Sequence, residues 1–456
     1  MPSNLSPVFT YIDQHQDSFI QRLIDYVRHP SISAHNIGIE EVCQILVEML
    51  TKMGLDTRTI PTSGHPMVLG RWEKAPGAPT VLLYGHYDVQ PPDPLDAWVS
   101  PPFEPTIRNG RIYARGVGDN KGQHFAQILA IESHLAIYGK LPCNVIFLLE
   151  GEEEVGSPHI ADFVREHHAL LKADLVITAD GHLHESGLPV LEYGVRGIAS
   201  FELRARGANR DVHSGNFGGV VPNPIWELIH LLASMKNTQG EITIEGLNDN
   251  VISPTDLELE AVSRLPLDLE AYKAELELDQ LDKPLERPFY DRLMFHPTFT
   301  INGFHSGYGG PGSKTVLPHE AVVKCDIRLV EAQTPEEILG KVETHVKRVA
   351  PGVEFIPLDG MLPSKTPMDS PFAESLRQAI FTARGVKPLE YPSAGGSLPD
   401  YVFTKILKTP AFVIPYGNAD EANHAPNENL TIECFLNGIR TGAAILAYLG
   451  EMTYFS

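Results

Sequence analysis

The sequence contains little cysteine and no long apolar run. Four cysteines occur in 456 residues, at widely spaced positions and without any CxxC pair: Cys43, Cys143, Cys325 and Cys434. Such a pattern excludes a disulfide framework and a zinc knuckle, and it favours a reducing compartment. No stretch reaches the roughly 18 uninterrupted apolar residues that a membrane span needs. Since the first residues also lack a basic segment followed by an apolar one, we expect a cytoplasmic protein without a membrane partner.

Positive charge is also scarce. The chain has 36 lysines and arginines against 58 aspartates and glutamates, so its formal net charge is −22. This balance argues against nucleic acid or an anionic membrane surface as a partner. The length exceeds the size at which a single hydrophobic core usually stops growing, so at least two domains are expected.

The first part of the chain alternates short apolar runs with amphipathic segments. Runs at 80–84, 144–149 and 173–178 are typical of strands buried on both faces, and helices are predicted at 122–138 and 158–170. This alternation predicts an α/β fold with a doubly wound mixed sheet. The same character returns after residue 370, so we assign residues 1–193 and 370–456 to one catalytic domain.

The middle of the chain has a different pattern. Residues 197–206 and 321–329 alternate apolar and polar side chains, as half-exposed strands do, and each is followed by a predicted helix. We expect residues 194–369 to form an inserted α+β, ferredoxin-like domain. An acidic stretch near 240–295, rich in leucine and glutamate, is predicted to be a helical insertion.

A fourth apolar run, at 411–414, is also typical of a buried strand, and acidic or histidine residues follow all four predicted strands. The strand at 144–149 leads into Glu150-Gly-Glu-Glu-Glu-Val-Gly-Ser157, and the others lead into His86, Asp180 and His424. Each feature alone has a simpler interpretation, such as a solvated acidic loop or an ordinary turn. Together with Asp119, however, these residues suit two divalent metal ions that share one bridging carboxylate.

The combined motifs resemble a known enzyme family. The segments His86-Tyr-Asp88, Gly118-Asp-Asn-Lys-Gly122, Glu152-Glu-Glu-Val-Gly-Ser157, Asp211-Val-His-Ser-Gly215 and Glu421-Ala-Asn-His424 are similar to those of the dinuclear-zinc aminoacylase/carboxypeptidase family. That family includes carnosine-type dipeptidases, acetylornithine deacetylase, succinyl-diaminopimelate desuccinylase and glutamate carboxypeptidases. The glycine-rich segment at 307–318 and the insertion at 240–295 favour the dipeptidase branch.

The resemblance implies a role for each residue of the cluster. Two divalent ions per subunit are implied, most typically Zn²⁺, although Mn²⁺ or Co²⁺ would suit the same ligands. Glu153 would be the general base that acts on a metal-bridging water, and Asp88 would fix the orientation of the His86 imidazole. Glu152 has no assigned role, and the Asp119–Asn120 peptide bond would be cis. The implied metal ligands are His86 and Asp180 for one ion, Glu154 and His424 for the other, and Asp119 between them.

The resemblance also implies substrate contacts and an assembly. His213, in the inserted domain, would stabilise the oxyanion in the active site of the other subunit, so the inserted domain would act as a lid and dimerisation domain of a homodimer. Arg328 would bind the terminal carboxylate of the substrate through its guanidinium fork. Gly396 and Ser397 would contribute to the same carboxylate site.

Three functions remain open from the sequence. The motifs favour a metallopeptidase that hydrolyses dipeptides or short peptides. A deacylase that removes an acetyl or succinyl group from an amino acid would use the same metal centre. A non-catalytic binding protein on this fold is the third possibility, although the chain keeps every expected ligand and the base.

Overall fold

We analysed a computed structural model of the chain, which describes residue 2, residues 5–283 and residues 287–452. Its strands form two large sheets and three small ones. In chain order the described strands are β1 (Asp56–Ile60), β2 (Met67–Trp72), β3 (Thr80–His86), β4 (Thr106–Arg108), β5 (Arg111–Tyr113), β6 (Asn144–Glu150), β7 (Leu175–Thr178), β8 (Val190–Glu192), β9 (Gly194–Val195), β10 (Gly197–Arg206), β11 (Val212–His213), β12 (Thr298–Ser306), β13 (Val316–Leu317), β14 (Glu320–Leu329), β15 (Glu354–Met361), β16 (Ser364–Lys365), β17 (Leu389–Tyr391), β18 (Ala411–Val413) and β19 (Asn429–Thr431).

The helices flank these sheets. None of the described helices is both long enough and apolar enough to cross a membrane. In chain order they are α1 (Leu5–Gln14), α2 (Gln16–Val27), α3 (Ile39–Lys52), α4 (Lys121–Tyr138), α5 (Ile160–Glu166), α6 (Ser214–Phe217), α7 (Pro224–Met235), α8 (Asp256–Ser263), α9 (Leu269–Glu275), α10 (Phe289–Phe295), α11 (Pro335–Val349), α12 (Ala373–Arg384) and α13 (Ile432–Gly450).

The larger sheet is mixed and is covered on both faces. Its order is β1-β2-β6-β3-β7-β18-β8-β17, and β6, β3, β7 and β18 run parallel to one another. Val81 and Leu83 of β3 pack into the core beneath α1 to α4, α12 and α13, while Leu82 and Tyr84 pack towards α5 on the other face. Burial on both faces explains the uninterrupted apolar run at this position. The predicted mixed α/β architecture is therefore confirmed.

The second large sheet is antiparallel and has a core of its own. Its order is β12-β14-β10-β15, and α7 and α11 pack on it. Phe201 and Leu203 of β10 and Val323 of β14 belong to this separate core. The chain order of strand, helix, two strands, helix and strand is the ferredoxin-like pattern expected for this part of the chain.

The region predicted as a helical insertion is only partly helical. Between residues 240 and 295 the structure has the short helices α8, α9 and α10, joined by turns and irregular segments. Residues 284–286 lie outside the described residues. Pro254, Pro266 and Pro288 each lie shortly before one of these helices, where proline restricts the preceding backbone and limits helix length. The described residues of this region thus form a set of short helices joined by irregular segments.

Candidate metal centre

The predicted metal ligands meet at one edge of the larger sheet. His86 is the last residue of β3, Asp180 follows β7 by two residues, and Glu154 lies in the turn after β6. His424 is in the loop after β18, and Asp119 lies two residues before the start of α4. Because the carboxyl ends of parallel strands meet at the same edge, residues far apart in sequence converge there.

Two groups of potential ligands share Asp119. In the first group, Nε2 of His86 lies 3.0 Å from Asp119 Oδ1 and 3.4 Å from Asp180 Oδ2. In the second, Nε2 of His424 lies 3.1 Å from Asp119 Oδ2 and 3.1 Å from Glu154 Oε2. In each group the ligand atoms lie within 4.8 Å of one another. The two carboxylate oxygens of Asp119 therefore face different groups, which is the arrangement that a bridging ligand needs.

The electrostatics of the cluster favour bound cations. Burial lowers the pKa of His86, but hydrogen bonds with Asp119, Asp180 and Asp88 outweigh it and raise this pKa well above its ordinary value. Hydrogen bonds with Asp119 and Glu154 raise the pKa of His424 to about 10. Both imidazoles thus lie in a strongly negative environment that attracts positive charge. Imidazole nitrogens and carboxylate oxygens are also the ligands that zinc and similar divalent ions accept, so the residues fit such ions.

Asp88 supports both sides of the cluster. Its carboxylate lies 3.4 Å from Nδ1 of His86, and its two oxygens accept hydrogen bonds from the backbone N–H groups of Glu153 at 3.2 Å and Glu154 at 3.1 Å. The turn at Glu153–Val155 ends at Gly156, whose φ of 88° suits glycine. Asp88 therefore orients an imidazole and also holds the glutamate turn in place.

The three adjacent glutamates have different surroundings. Glu153 Oε2 lies 4.0 Å from Nε2 of His86, and burial raises the pKa of Glu153 well above its ordinary value. Glu154 belongs to the second ligand group. Glu152 instead pairs with His159, whose Nδ1 lies 2.7 Å from Glu152 Oε2. Each of the three glutamates therefore has a distinct set of contacts. Glu152, to which the sequence assigned no role, forms an ion pair with His159.

Residues that the sequence interpretation did not single out hold the ligands in position. Glu428 accepts hydrogen bonds from the backbone N–H groups of Gly118 and Asp119 and pairs with Arg115. The Gln90 side chain donates to Glu154 Oε2 at 2.9 Å. Glu428 lies four residues after His424, which was the only sequence signal for it. Gln90 lies 64 residues from Glu154 and had none.

The loop around Asp119 is tightly constrained. The Asp119–Asn120 peptide bond is cis, as predicted. The Asn120 side chain donates to the carbonyl of Ala179 at 2.6 Å, next to Asp180. A Cβ atom at position 118 would come within 2.7 Å of Glu421 Oε2, so a side chain there would displace the Glu421 carboxylate. These contacts tie the shared carboxylate to the ends of two strands.

A cavity of about 840 Å³ opens beside the cluster. Asp119, Glu153, Asp180 and His424 line one side of it, and Gly396 and Ser397 line another. Nη1 of Arg328 donates to Oγ of Ser397 at 2.7 Å, so Arg328, which does not itself line the cavity, contacts its wall through Ser397. Helices α9 and α10 of the insertion supply a further wall, which includes Tyr290 and Leu293.

His213 does not reach this cavity within one chain. It is exposed at the end of β11, where its Nδ1 accepts a hydrogen bond from the backbone N–H of Gly215 at 3.0 Å. The nearby Thr315 hydroxyl lies 3.5 Å from its Nε2. The structure therefore brings together the five predicted ligands, the predicted base and the predicted carboxylate-binding residues, but leaves His213 apart from them.

Comparisons with known proteins identify the family. The model of peptidase family M20/M25/M40 matches residues 82–448. The chain belongs to this family. Among its relatives, Cys-Gly metallodipeptidase dug1 of Schizosaccharomyces pombe is 30% identical over 96% of this chain and 97% of that protein. Beta-Ala-His dipeptidase of Homo sapiens is 28% identical over 99% of this chain and 94% of its own length.

A solved structure extends this similarity to the fold. The M20 family metallo-carboxypeptidase Sso-CP2 from Sulfolobus solfataricus superposes with a TM-score of 0.89 at 33% sequence identity, over 95% of this chain and 99% of that one. The resemblance stated from the sequence is confirmed, and so is the prediction of a metallopeptidase-type hydrolase. M20 peptidases use divalent metals, and the cluster is a candidate site for them.

Proposed function

We propose that this protein is a two-metal dipeptidase that hydrolyses the amide bond of dipeptides or short peptides. The observation that carries the proposal is the shared position of Asp119, whose two oxygens lie 3.0 Å from His86 Nε2 and 3.1 Å from His424 Nε2. A single metal ion would use only one of these two ligand groups, and the second group would hold no ion. The metallodipeptidases among its relatives support the choice of substrate class.

The proposed chemistry assigns proton transfer to Glu153. Two divalent ions, held by the ligands listed above, would supply a water of lowered pKa and would polarise the scissile carbonyl. Glu153, which borders the cavity, would accept the proton of the attacking water and deliver it to the leaving amine. The raised pKa of Glu153 suits a carboxyl that must hold a proton between these two steps.

The C-terminal end of the substrate would bind across the cavity from the metals. Arg328 presents its guanidinium to this end, with Ser397 and Gly396 beside it. A guanidinium can hold a carboxylate through two hydrogen bonds, which fixes the direction of the bound peptide. This arrangement would align the scissile amide with Glu153.

We further propose that the protein works as a homodimer, in which residues 194–369 form the lid and dimerisation domain and residues 1–193 and 370–456 the catalytic domain. In this assembly His213 of the partner subunit completes the oxyanion site. Exposed apolar side chains on the second sheet unit support an interface there: Trp226 and Ile229 on α7, and Ile301 and Phe304 on the edge strand β12.

The ligand types indicate which metals suit the site, and the cysteines indicate the compartment. Zn²⁺ is the proposed native ion, with Mn²⁺ and Co²⁺ as ions that the same donors accept. The described cysteines are all free and buried. This supports a reducing compartment, and we propose the cytoplasm.

A substrate panel with metal analysis tests the proposal. The purified protein, supplied with Zn²⁺ or Mn²⁺, should hydrolyse unblocked dipeptides such as Leu-Ala faster than N-acetyl or N-succinyl amino acids. Turnover of the N-acyl compounds in preference to dipeptides would support the deacylase instead. Protein that binds metal but hydrolyses neither class would indicate a non-catalytic role.

A further inference from the structure

Glu192 lies in the larger sheet, two strands away from the strand that leads into Asp180. It ends β8, where it pairs with Val413 of β18, and Val413 pairs in turn with Thr178 of β7. Neighbouring strands lie about 4.8 Å apart, so Glu192 is roughly 10 Å from Thr178 across the sheet. Asp180 is the next residue on the same face of that chain segment, because side chains alternate along a strand.

The alternation along β8 directs Glu192 towards the cavity. Leu191 and Tyr193 belong to the core on the opposite face of the sheet. Val190 and Glu192 line the cavity that also contains Asp180 and Glu153. Tyr391, the partner of Glu192 in the adjacent strand, lines it too. Glu192 is therefore an acidic side chain on the substrate side of the sheet.

None of the described side chains that line the cavity is a lysine or an arginine. Burial, together with the neighbouring carboxyls of Asp400 and Asp180, raises the pKa of Glu192 to about 8. Asp400 differs, since it accepts a hydrogen bond from the Thr178 hydroxyl at 2.8 Å. Glu192 is half-buried, and a carboxyl that is partly removed from water is costly unless a ligand supplies opposite charge.

The metals do not supply that charge. Two divalent cations would be balanced by the carboxylates already assigned to them and to the base: Asp119, Asp180, Glu154 and Glu153. Glu192 is a further carboxylate, and it lines the same cavity as Asp180 and Glu153. The substrate group that suits it is a cation near the scissile bond, and a free N-terminal ammonium group lies two bonds from the scissile carbonyl carbon.

We propose that Glu192 binds the free α-ammonium group of the substrate's N-terminal residue and so selects unblocked dipeptides over N-acyl amino acids. This inference rests on the proposed dipeptidase function. It assigns opposite ends of the substrate to opposite charges, with the ammonium group at Glu192 and the carboxylate at Arg328. An N-acyl compound would bury Glu192 without a partner, which a polar site rejects strongly.

Two matched substrates and one variant test the proposal. Leu-Ala and 4-methylpentanoyl-Ala differ only in the ammonium group. Wild-type protein should have a kcat/KM at least about tenfold higher for Leu-Ala. Glu192→Gln should lower kcat/KM for Leu-Ala about 10- to 100-fold, mainly through KM, as expected for the loss of one charged hydrogen bond. Its kcat/KM for 4-methylpentanoyl-Ala should be equal to or above that of wild type, which also shows that the variant is folded.

Glu185→Gln is the control, because Glu185 lines the same cavity but is exposed. It should keep the wild-type preference. If wild type hydrolyses Leu-Ala and Glu192→Gln retains the full preference for it, the inference about Glu192 is wrong while the dipeptidase proposal stands. If wild type prefers 4-methylpentanoyl-Ala or hydrolyses neither compound, the dipeptidase proposal itself fails, and the inference fails with it.

Discussion

The two sheets of this molecule contribute to function in different ways. At the edge of the larger sheet, His86, Asp119 and Asp180 are buried and held by hydrogen bonds from the chain around them. In the part of the chain that contains the smaller of the two large sheets, His213 at the end of the short strand β11 is exposed and does not line the cavity. The candidate metal ligands therefore all come from one chain, whereas those of the proposed oxyanion site do not.

This difference indicates which substitutions should act within one chain and which should act only across a dimer. Ligand positions at the larger sheet follow from strand order, so changes there should alter metal binding and proton transfer directly. Changes at His213 should matter only when two subunits meet. The following predictions test that distinction, beginning with the largest expected effect.

Glu153→Gln should have the largest effect. The amide keeps the shape of the side chain but cannot accept the proton, so kcat for Leu-Ala should fall about 10²- to 10⁴-fold. Metal content, measured by elemental analysis, should stay at the wild-type value. Glu152→Gln is the matched control, since Glu152 pairs with His159, and its kcat should remain within a few-fold of wild type. Equal losses in the two variants would contradict the separate roles of the adjacent glutamates.

His213→Ala should lower kcat about 10²-fold, with unchanged metal content, because one oxyanion donor is lost. Coexpression with Glu153→Gln chains gives the sharper test. Half of the mixed dimers would be heterodimers, each with one intact site, so activity should recover to about a quarter of wild type. Absence of recovery in a coexpressed, dimeric mixture would show that His213 does not act across subunits.

Arg328→Lys should have an intermediate effect at the far side of the cavity. Lysine keeps the charge but loses the planar two-donor geometry, so KM for Leu-Ala should rise about 10-fold with a smaller change in kcat. Leu-Ala amide, which lacks the terminal carboxylate, should be hydrolysed by both proteins with similar KM. A rise in KM for the amide as large as that for Leu-Ala would contradict a role in carboxylate binding.

Gln90→Ala should have the smallest effect of the four. Removal of the donor to Glu154 Oε2 leaves the ligand itself in place. The affinity for the more weakly held metal should fall about tenfold, as is typical when a group that orients a ligand is lost. A competitive chelator titration measures this change, and activity at saturating metal should return to nearly the wild-type level. Unchanged affinity would mean that Glu154 needs no support from Gln90.

Much of the fold could be predicted because burial left a clear pattern in the sequence. The strand at Thr80–His86 is buried on both faces and therefore reads as a continuous apolar run. In contrast, β8 and β17 have three residues each, too few to establish a period, and β12 is mostly exposed as an edge strand. The sequence interpretation consequently missed all three.

The candidate site could also be predicted only in part: the residues at strand ends were found, and those brought in by tertiary contacts were not. His86, Asp119 and Asp180 stand directly at strand ends or in a motif, so strand order alone brings them together. Gln90 acts through a hydrogen bond to a residue 64 positions away, and Glu192 through a short strand recognised only by its pairing. Such residues become visible only when the tertiary structure places them beside the site.

The most direct test of the account is the number of divalent ions that one chain binds. Metal-free protein titrated with Zn²⁺ should bind two ions per chain, and Asp119→Asn should weaken the binding of both, because each ligand group contains one oxygen of Asp119. A single ion bound per wild-type chain, or loss of only one of two ions in Asp119→Asn, would contradict a shared carboxylate at the centre of the site.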